Sequence, residues 1–203
     1  MVAKVTMLSA VVGLVALGFV AAELSVYAAH RWISHAGLLR RVRNDLFRRA
    51  HYHHHFEQYP PQALRADAYV ASRDMTFVLV ETLLILCAVT MPLLVELQLS
   101  VAIAMAIGVA VHGTMAATAH AICHVTDDTV RRWPLLRAGI TVRTVKRLRQ
   151  FHDLHHIGEG NYSLLVPLVD RLAGTRVRNI IPTPLLQREL FPRLSENSSS
   201  SRN

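Results

Sequence analysis

Residues 5–22 and 97–119 contain no Asp, Glu, Lys or Arg, and residues 75–95 contain one, Glu81. Each run is long enough to cross a hydrocarbon core about 30 Å thick as a helix rising about 1.5 Å per residue. Lipid offers the backbone no hydrogen-bonding partners, so segments that cross it must be helical or close into a barrel, and runs this long and apolar read as helices. The expected fold is therefore all-α: an integral membrane helical bundle of about three spans. A secretory signal is the alternative for the first run, because Lys4 precedes it and "VAA" resembles a cleavage site. The run exceeds the apolar stretch of about 7–15 residues usual in such signals. It also leads directly into a histidine pair that cleavage would leave without an anchor, so a retained span is the preferred reading.

Charge placement orients the bundle. Lys4 is the single cation ahead of the first run, eight arginines lie between runs one and two, and none lies in the short "ELQLS" that joins runs two and three. Loops rich in Lys and Arg stay on the cytosolic side. This predicts an outer N-terminus, residues 30–74 inside, an outer turn near Gln98 and the C-terminal third inside. The net charge of +8 therefore reads as topology, and no nucleic-acid partner is expected. Cys87 falls mid-membrane and Cys123 at the inner face, so no disulfide is expected. Beyond Gln150, Gly158, Gly160, Pro167, Pro182, Pro184 and Pro192 predict short helices and turns on the membrane face. Residues 1–195 read as one membrane-embedded domain whose cytosolic, histidine-rich cap comes from 31–74 and 121–195. Residues 196–203, "ENSSSSRN", read as a disordered tail.

Twelve histidines are many for 203 residues, and ten of them fall into four groups. "HRWISH" holds His30 and His35. "HYHHH" holds His51, His54 and His55. "HAICH" holds His120 and His124, and "HDLHH" holds His152, His155 and His156. Positions i, i+3 and i+4 share a helix face, so each H-x-x-H-H box is expected to present three imidazoles in one direction. His30 and His35, five apart, need a bend or a wide site to meet. Imidazole suits iron, zinc, copper and nickel, and ten ligands suit two ions rather than one. No thiolate set speaks for a structural zinc site, and no H-E-x-x-H for a zincin protease. One such box in a basic loop would be an ordinary solvated tract. Two copies and two spaced pairs on one side of a membrane make a metal site. His53 points away from its neighbours' face and is read as a non-ligand.

Three ionisable residues lie within the spans at one depth. Glu23 is seven residues before His30, Glu81 seven after Asp74, and His112 eight before His120. At about 1.5 Å per residue all sit roughly 10–12 Å below the cytosolic rim. Such groups usually face the bundle interior and pair. At least two of the three are expected within hydrogen-bonding reach of each other or of a ligand histidine.

In the order of its boxes, over roughly residues 23–178, the sequence resembles the fatty acid hydroxylase/sterol desaturase superfamily of integral membrane di-iron enzymes. "NYS" (Asn161–Ser163) and "DRLAGT" (Asp170–Thr175) are similar to stretches after the last box in sterol oxidases and fatty acid hydroxylases. "ELSVYAAHRWISH" and "RRWPL" look more like bacterial carotenoid hydroxylases, the nearest rival branch. A single span before the first box departs from the sterol and fatty acid enzymes, whereas the H-x-x-x-H spacing of the third box fits the fatty acid type. The resemblance implies two iron ions held by the ten histidines, O₂, a lipid substrate and a ferredoxin- or cytochrome-type electron donor. Zinc is expected to compete for such ligands in purified protein. Glu23, Glu81, His112, Asp153 and Asn161 are candidates to support the ligands by hydrogen bonding. Hydroxylation is the leading expectation. Desaturation by the same superfamily is the close alternative, and a non-enzymatic membrane metal or haem protein the alternative from another class. Fatty acyl, sterol-like and carotenoid substrates all remain open.

Overall fold

A computed structural model of the chain describes residues 2–36, 45–70, 84, 86–88, 91, 99–132 and 142–178. Among these, the regular elements are helices and no strand occurs. Helix α1 covers Val2–Ala29 and runs without interruption into a π-helical turn, His30–His35. Helix α2, Asp45–Tyr52, likewise continues into a second π-helical turn, His53–Gln58. Helix α3 spans Leu99–His124, α4 Asp127–Arg132, α5 Val142–Ile157 and α6 Pro167–Leu172.

Two helical stretches are long and apolar enough to cross a membrane, Met7–His35 and Leu99–His124. The second predicted span, 75–95, lies mostly outside the described residues, and so does Glu81. Helix α3 buries Ala102, Met105, Val109, His112 and Ala116, while Leu99, Ile103, Ile107, Val111 and Met115 form an exposed stripe at a spacing of four. Helix α1 buries Ala22, Glu23, Val26 and Tyr27 and exposes Val12, Leu17, Val20 and Leu24. A helix that is apolar on its exposed face as well suits lipid, not water.

Helices α1 and α3 pack on each other at two glycines. A Cβ on Gly18 would overlap the Met105 carbonyl, and one on Gly108 would overlap the Val15 carbonyl. Small residues let helix backbones approach within a membrane, where association depends on close packing rather than on a hydrophobic drive. The contact holds the two helices side by side, so that the ends carrying His30 and His120–His124 meet.

Segment 59–66 then crosses beneath α3. The Ala66 amide donates to the His124 carbonyl at 2.9 Å, and the Thr126 amide to the Ala66 carbonyl at 3.1 Å. Arg149 of α5 is buried and donates from Nε to the Ile122 carbonyl at 3.1 Å and from Nη2 to the Val125 carbonyl at 2.6 Å. Its third nitrogen meets the Asp127 carboxylate. One guanidinium thus satisfies a carbonyl in the last turn of α3 and one just past its end, and clamps α5 against them.

Candidate metal centre

The π-helical turns solve the spacing problem of the first box. A π turn closes an i→i−5 hydrogen bond, as from the Ala36 amide to the Arg31 carbonyl at 3.0 Å. Residues five apart therefore line up, and the rings of His30 and His35 lie with centroids 5.2 Å apart. The second π turn closes with the Tyr59 amide on the His54 carbonyl at 2.9 Å. It carries His54 and His55 inward, while His53 turns outward to Glu57.

All ten predicted ligands meet at one end of the two long apolar helices, and eight of them are buried, with His30 and His35 half-buried. They form two groups. In one, His30, His35, His51, His55 and His155 bring ligand atoms within 4.8 Å of one another; in the other, His54, His124, His152 and His156 do so. His120 adjoins the second group, its Nε2 3.1 Å from that of His54. The groups touch where the rings of His55 and His156 stack at 4.0 Å.

Each H-x-x-H-H box is divided between the two groups, not aimed at one. The i and i+4 histidines go together and the i+3 member goes to the other group, since i+3 and i+4 differ by about 100° of rotation. The "HYHHH" box gives His51 and His55 to one group and His54 to the other; the "HDLHH" box gives His152 and His156 to the second and His155 to the first. The repeated motif is thus a reciprocal exchange that couples two centres.

The outer nitrogens are anchored. Nδ1–H of His30 donates to the Tyr162 carbonyl at 2.7 Å, that of His155 to Gly160 at 2.8 Å, and that of His124 to Leu64 at 3.0 Å. His120 Nδ1 lies 3.2 Å from the Tyr69 hydroxyl. Such bonds fix the tautomer and direct Nε2 inward. The inward nitrogens crowd: Nε2 of His35 and His51 are 2.7 Å apart, those of His124 and His152 2.9 Å, and those of His152 and His156 3.1 Å. Nε2 of His55 and of His155 is buried without a hydrogen-bond partner. Buried polar atoms are rarely left so, and converging lone pairs repel unless a cation lies between them. The donor set fits two imidazole-binding divalent ions.

Burial, and then the charge each would impose on its imidazole neighbours, hold His55, His152, His155 and His156 well below the ordinary histidine value of about 6.5. They are neutral at pH 7, the form that binds metal.

The supporting candidates take different places. His112 Nε2 lies 2.6 Å from the Glu23 carboxylate, with both side chains buried between the spans. Glu23 also accepts from the Val166 amide at 3.2 Å. Asp153 accepts from Arg65 at 2.7 Å, not from an imidazole. Asn161 donates to the carbonyls of Phe151 and Val177 and accepts from the Val177 amide, so it shapes the loop after the last box. Sequence reasoning assigned no role to Arg149, to Asp170 or to Tyr59, whose ring stacks on His124 at 4.0 Å. Arg149 stands one helical turn before His152, the signal that could have singled it out.

A helical, membrane-type protein with two adjoining all-histidine groups at one end of its long apolar helices is the class that fold and site define. The family model described as fatty acid hydroxylase matches residues 15–175, and the chain belongs to that family. Searches of curated proteins and of solved structures gave no match.

Proposed function

We propose that the protein is a membrane-bound non-haem di-iron oxygenase that hydroxylates an unactivated C–H bond of a lipid. The observation that carries this reading is the pair of buried histidine groups with anchored Nδ1 atoms and converging Nε2 atoms. Family membership supports the oxidoreductase class. No protein side chain oxidises such a bond, so two iron ions, when bound, supply the redox chemistry with O₂.

The chain's own residues do the rest. The ten imidazoles hold the ions as neutral ligands, so the charge of the iron is not quenched. The carbonyls of Leu64, Gly160 and Tyr162 hold the rings in place before substrate arrives, and Arg149 keeps α5 docked on α3. A cavity of about 560 Å³ opens onto both groups at His35, His51, His55, His155 and His156. Tyr52, Phe56 and Ile157 give it apolar walls, with Arg48 and Glu159 among its polar lining. That mixture suits an amphipathic lipid, and its volume is in the range of small-molecule sites. Electrons would come from a ferredoxin- or cytochrome-type donor on the cytosolic side, which the arginine-rich loops mark.

Desaturation is the second reading, because the same centre and cavity serve hydrogen removal without oxygen insertion. Mass spectrometry of lipids from cells expressing the wild type or His155→Ala tests the proposal. A new lipid heavier by one oxygen, absent from the variant, is expected. A product lighter by two hydrogens would establish the desaturase, and identical lipid profiles would refute both.

A further inference from the structure

The stretches "NYS" and "DRLAGT" form a single device centred on Asp170. This residue lies in α6 and is fully buried. No cation sits against it among the described residues. Its carboxylate is instead surrounded by four donors. Oδ1 accepts from the Tyr162 amide at 2.8 Å and the Thr175 hydroxyl at 2.7 Å. Oδ2 accepts from the Ser163 amide at 2.8 Å and from the Ser163 hydroxyl.

The backbone is built to make this possible. Gly174, at φ 69°, turns the chain back after α6 so that the Thr175 and Arg176 amides reach the Asp170 carbonyl at 2.9 and 3.1 Å. Gly160, at φ 132°, and Asn161, at φ 54°, take left-handed conformations beside it. A Cβ on Gly160 would press on the Thr175 carbonyl oxygen, which accepts from the Asn161 amide at 3.0 Å. The Thr175 hydroxyl also meets the Tyr27 hydroxyl at 3.1 Å, which ties the loop to the end of α1.

The loop held in this way, 160–163, supplies the carbonyls that accept from His30 and His155. Those two ligands come from the first and last boxes and belong to the same five-histidine group. We propose that Asp170 is the positioning residue of that group: its carboxylate locks loop 160–163 so that the Gly160 and Tyr162 carbonyls aim Nε2 of His155 and His30 at one metal. The second group draws its anchoring from Leu64 and Tyr69 instead, so the effect is confined to one of the two centres. The inference rests on the reading of the histidines as a binuclear metal centre.

A carboxylate is required because only four acceptor lone pairs on two oxygens match four donors. Asparagine would turn an NH₂ toward two of them. The test uses full-length protein in detergent, stripped of metal and titrated with Co²⁺ under its absorption bands. Wild type is expected to take up two ions per chain. Asp170→Asn is expected to bind one ion as wild type does and the other at least about tenfold more weakly, the range seen when groups supporting a ligand are removed. Adding His55→Ala to Asp170→Asn should weaken the same ion further and leave the other as in wild type, whereas adding His156→Ala should weaken the ion that Asp170→Asn leaves unaffected. Two unchanged affinities, or equal loss at both, would overturn the assignment. If Asp170→Asn does not fold, Ser163→Ala replaces it, since it deletes one donor and keeps the carboxylate. Weakening at one ion supports the assignment, and two wild-type affinities overturn it. A wild type that binds no cobalt would overturn the metal-centre reading and this assignment with it.

Discussion

Nε2 of His112 lies 2.6 Å from the carboxylate of Glu23, 89 positions away in the sequence, on the facing span. Neither side chain reaches the exterior. An ionisable pair inside a membrane segment is costly unless both members are present. Removing one leaves the other buried without its facing partner. Glu23→Gln and His112→Ala are each expected to destabilise the protein. The double variant should lose less than the sum, with a coupling of about 0.5–3 kcal/mol. His112→Ala should also slow turnover while metal content stays near that of wild type, and the same is expected of Glu81→Gln. Thermal unfolding in detergent, metal analysis and turnover check these outcomes; additive losses with full activity would show that the two residues act separately.

The glycine crossing gives a sharper steric test. Gly108→Ala and Gly18→Ala each place a methyl group against a backbone carbonyl of the facing helix, whereas a Cβ at Gly13 meets nothing within 4 Å. The first two are expected to cost about 1–3 kcal/mol, as overpacking does. Gly13→Ala should be close to neutral. Melting temperatures of the three variants rank the effect, and equal values would show that the spans do not pack at these positions.

The depressed histidines set a direction for pH. In the unfolded chain each takes a proton near pH 6.5. In the folded, metal-free centre, His55, His152, His155 and His156 resist protonation because they are buried beside other imidazoles. The unfolded state therefore binds more protons as pH falls below about 6.5. Stability drops there by about 1.4 kcal/mol per pH unit for each full proton of difference. Metal-free protein should melt at a lower temperature at pH 5.5 than at 7.5, and bound metal should protect it until the ions dissociate. A higher melting temperature at pH 5.5 would contradict the burial of these rings.

An acidic electron donor is the expected partner. Eight arginines lie between residues 31 and 73, and thirteen of the chain's 22 cations follow residue 125. Charge of one sign steers an oppositely charged partner, and salt screens it. With electron delivery limiting, turnover should slow as ionic strength rises from about 0.01 M to 0.15 M, over which the screening length shrinks from about 30 to 8 Å. Salt-independent turnover would remove steering from the account.

Much of this protein was legible in the sequence because the controlling terms are local. A charge-free run long enough to cross a bilayer specifies a helix whatever surrounds it. Histidines at i, i+3 and i+4 share a face by helix geometry alone. That is why α1 and α3 fall where the apolar runs predict helices, and why counting residues places Glu23 and His112 at one depth, where the structure brings them within hydrogen-bonding reach.

The tertiary structure decided what depends on contacts between distant segments. Spacing could not reveal that His30 and His35 align through a π turn, since sequence periodicity registers 3.6 residues per turn and not the wider repeat. Nor could it divide each box between two centres, because the partition depends on which neighbouring imidazole each ring meets. Arg149 and Asp170 look like ordinary charged residues in the chain. Burial makes them different: each is removed from water and must satisfy every donor or acceptor internally. The groups that meet them are backbone carbonyls at the end of α3 and the Asp127 carboxylate for one, and the loop that orients His30 and His155 together with Thr175 for the other.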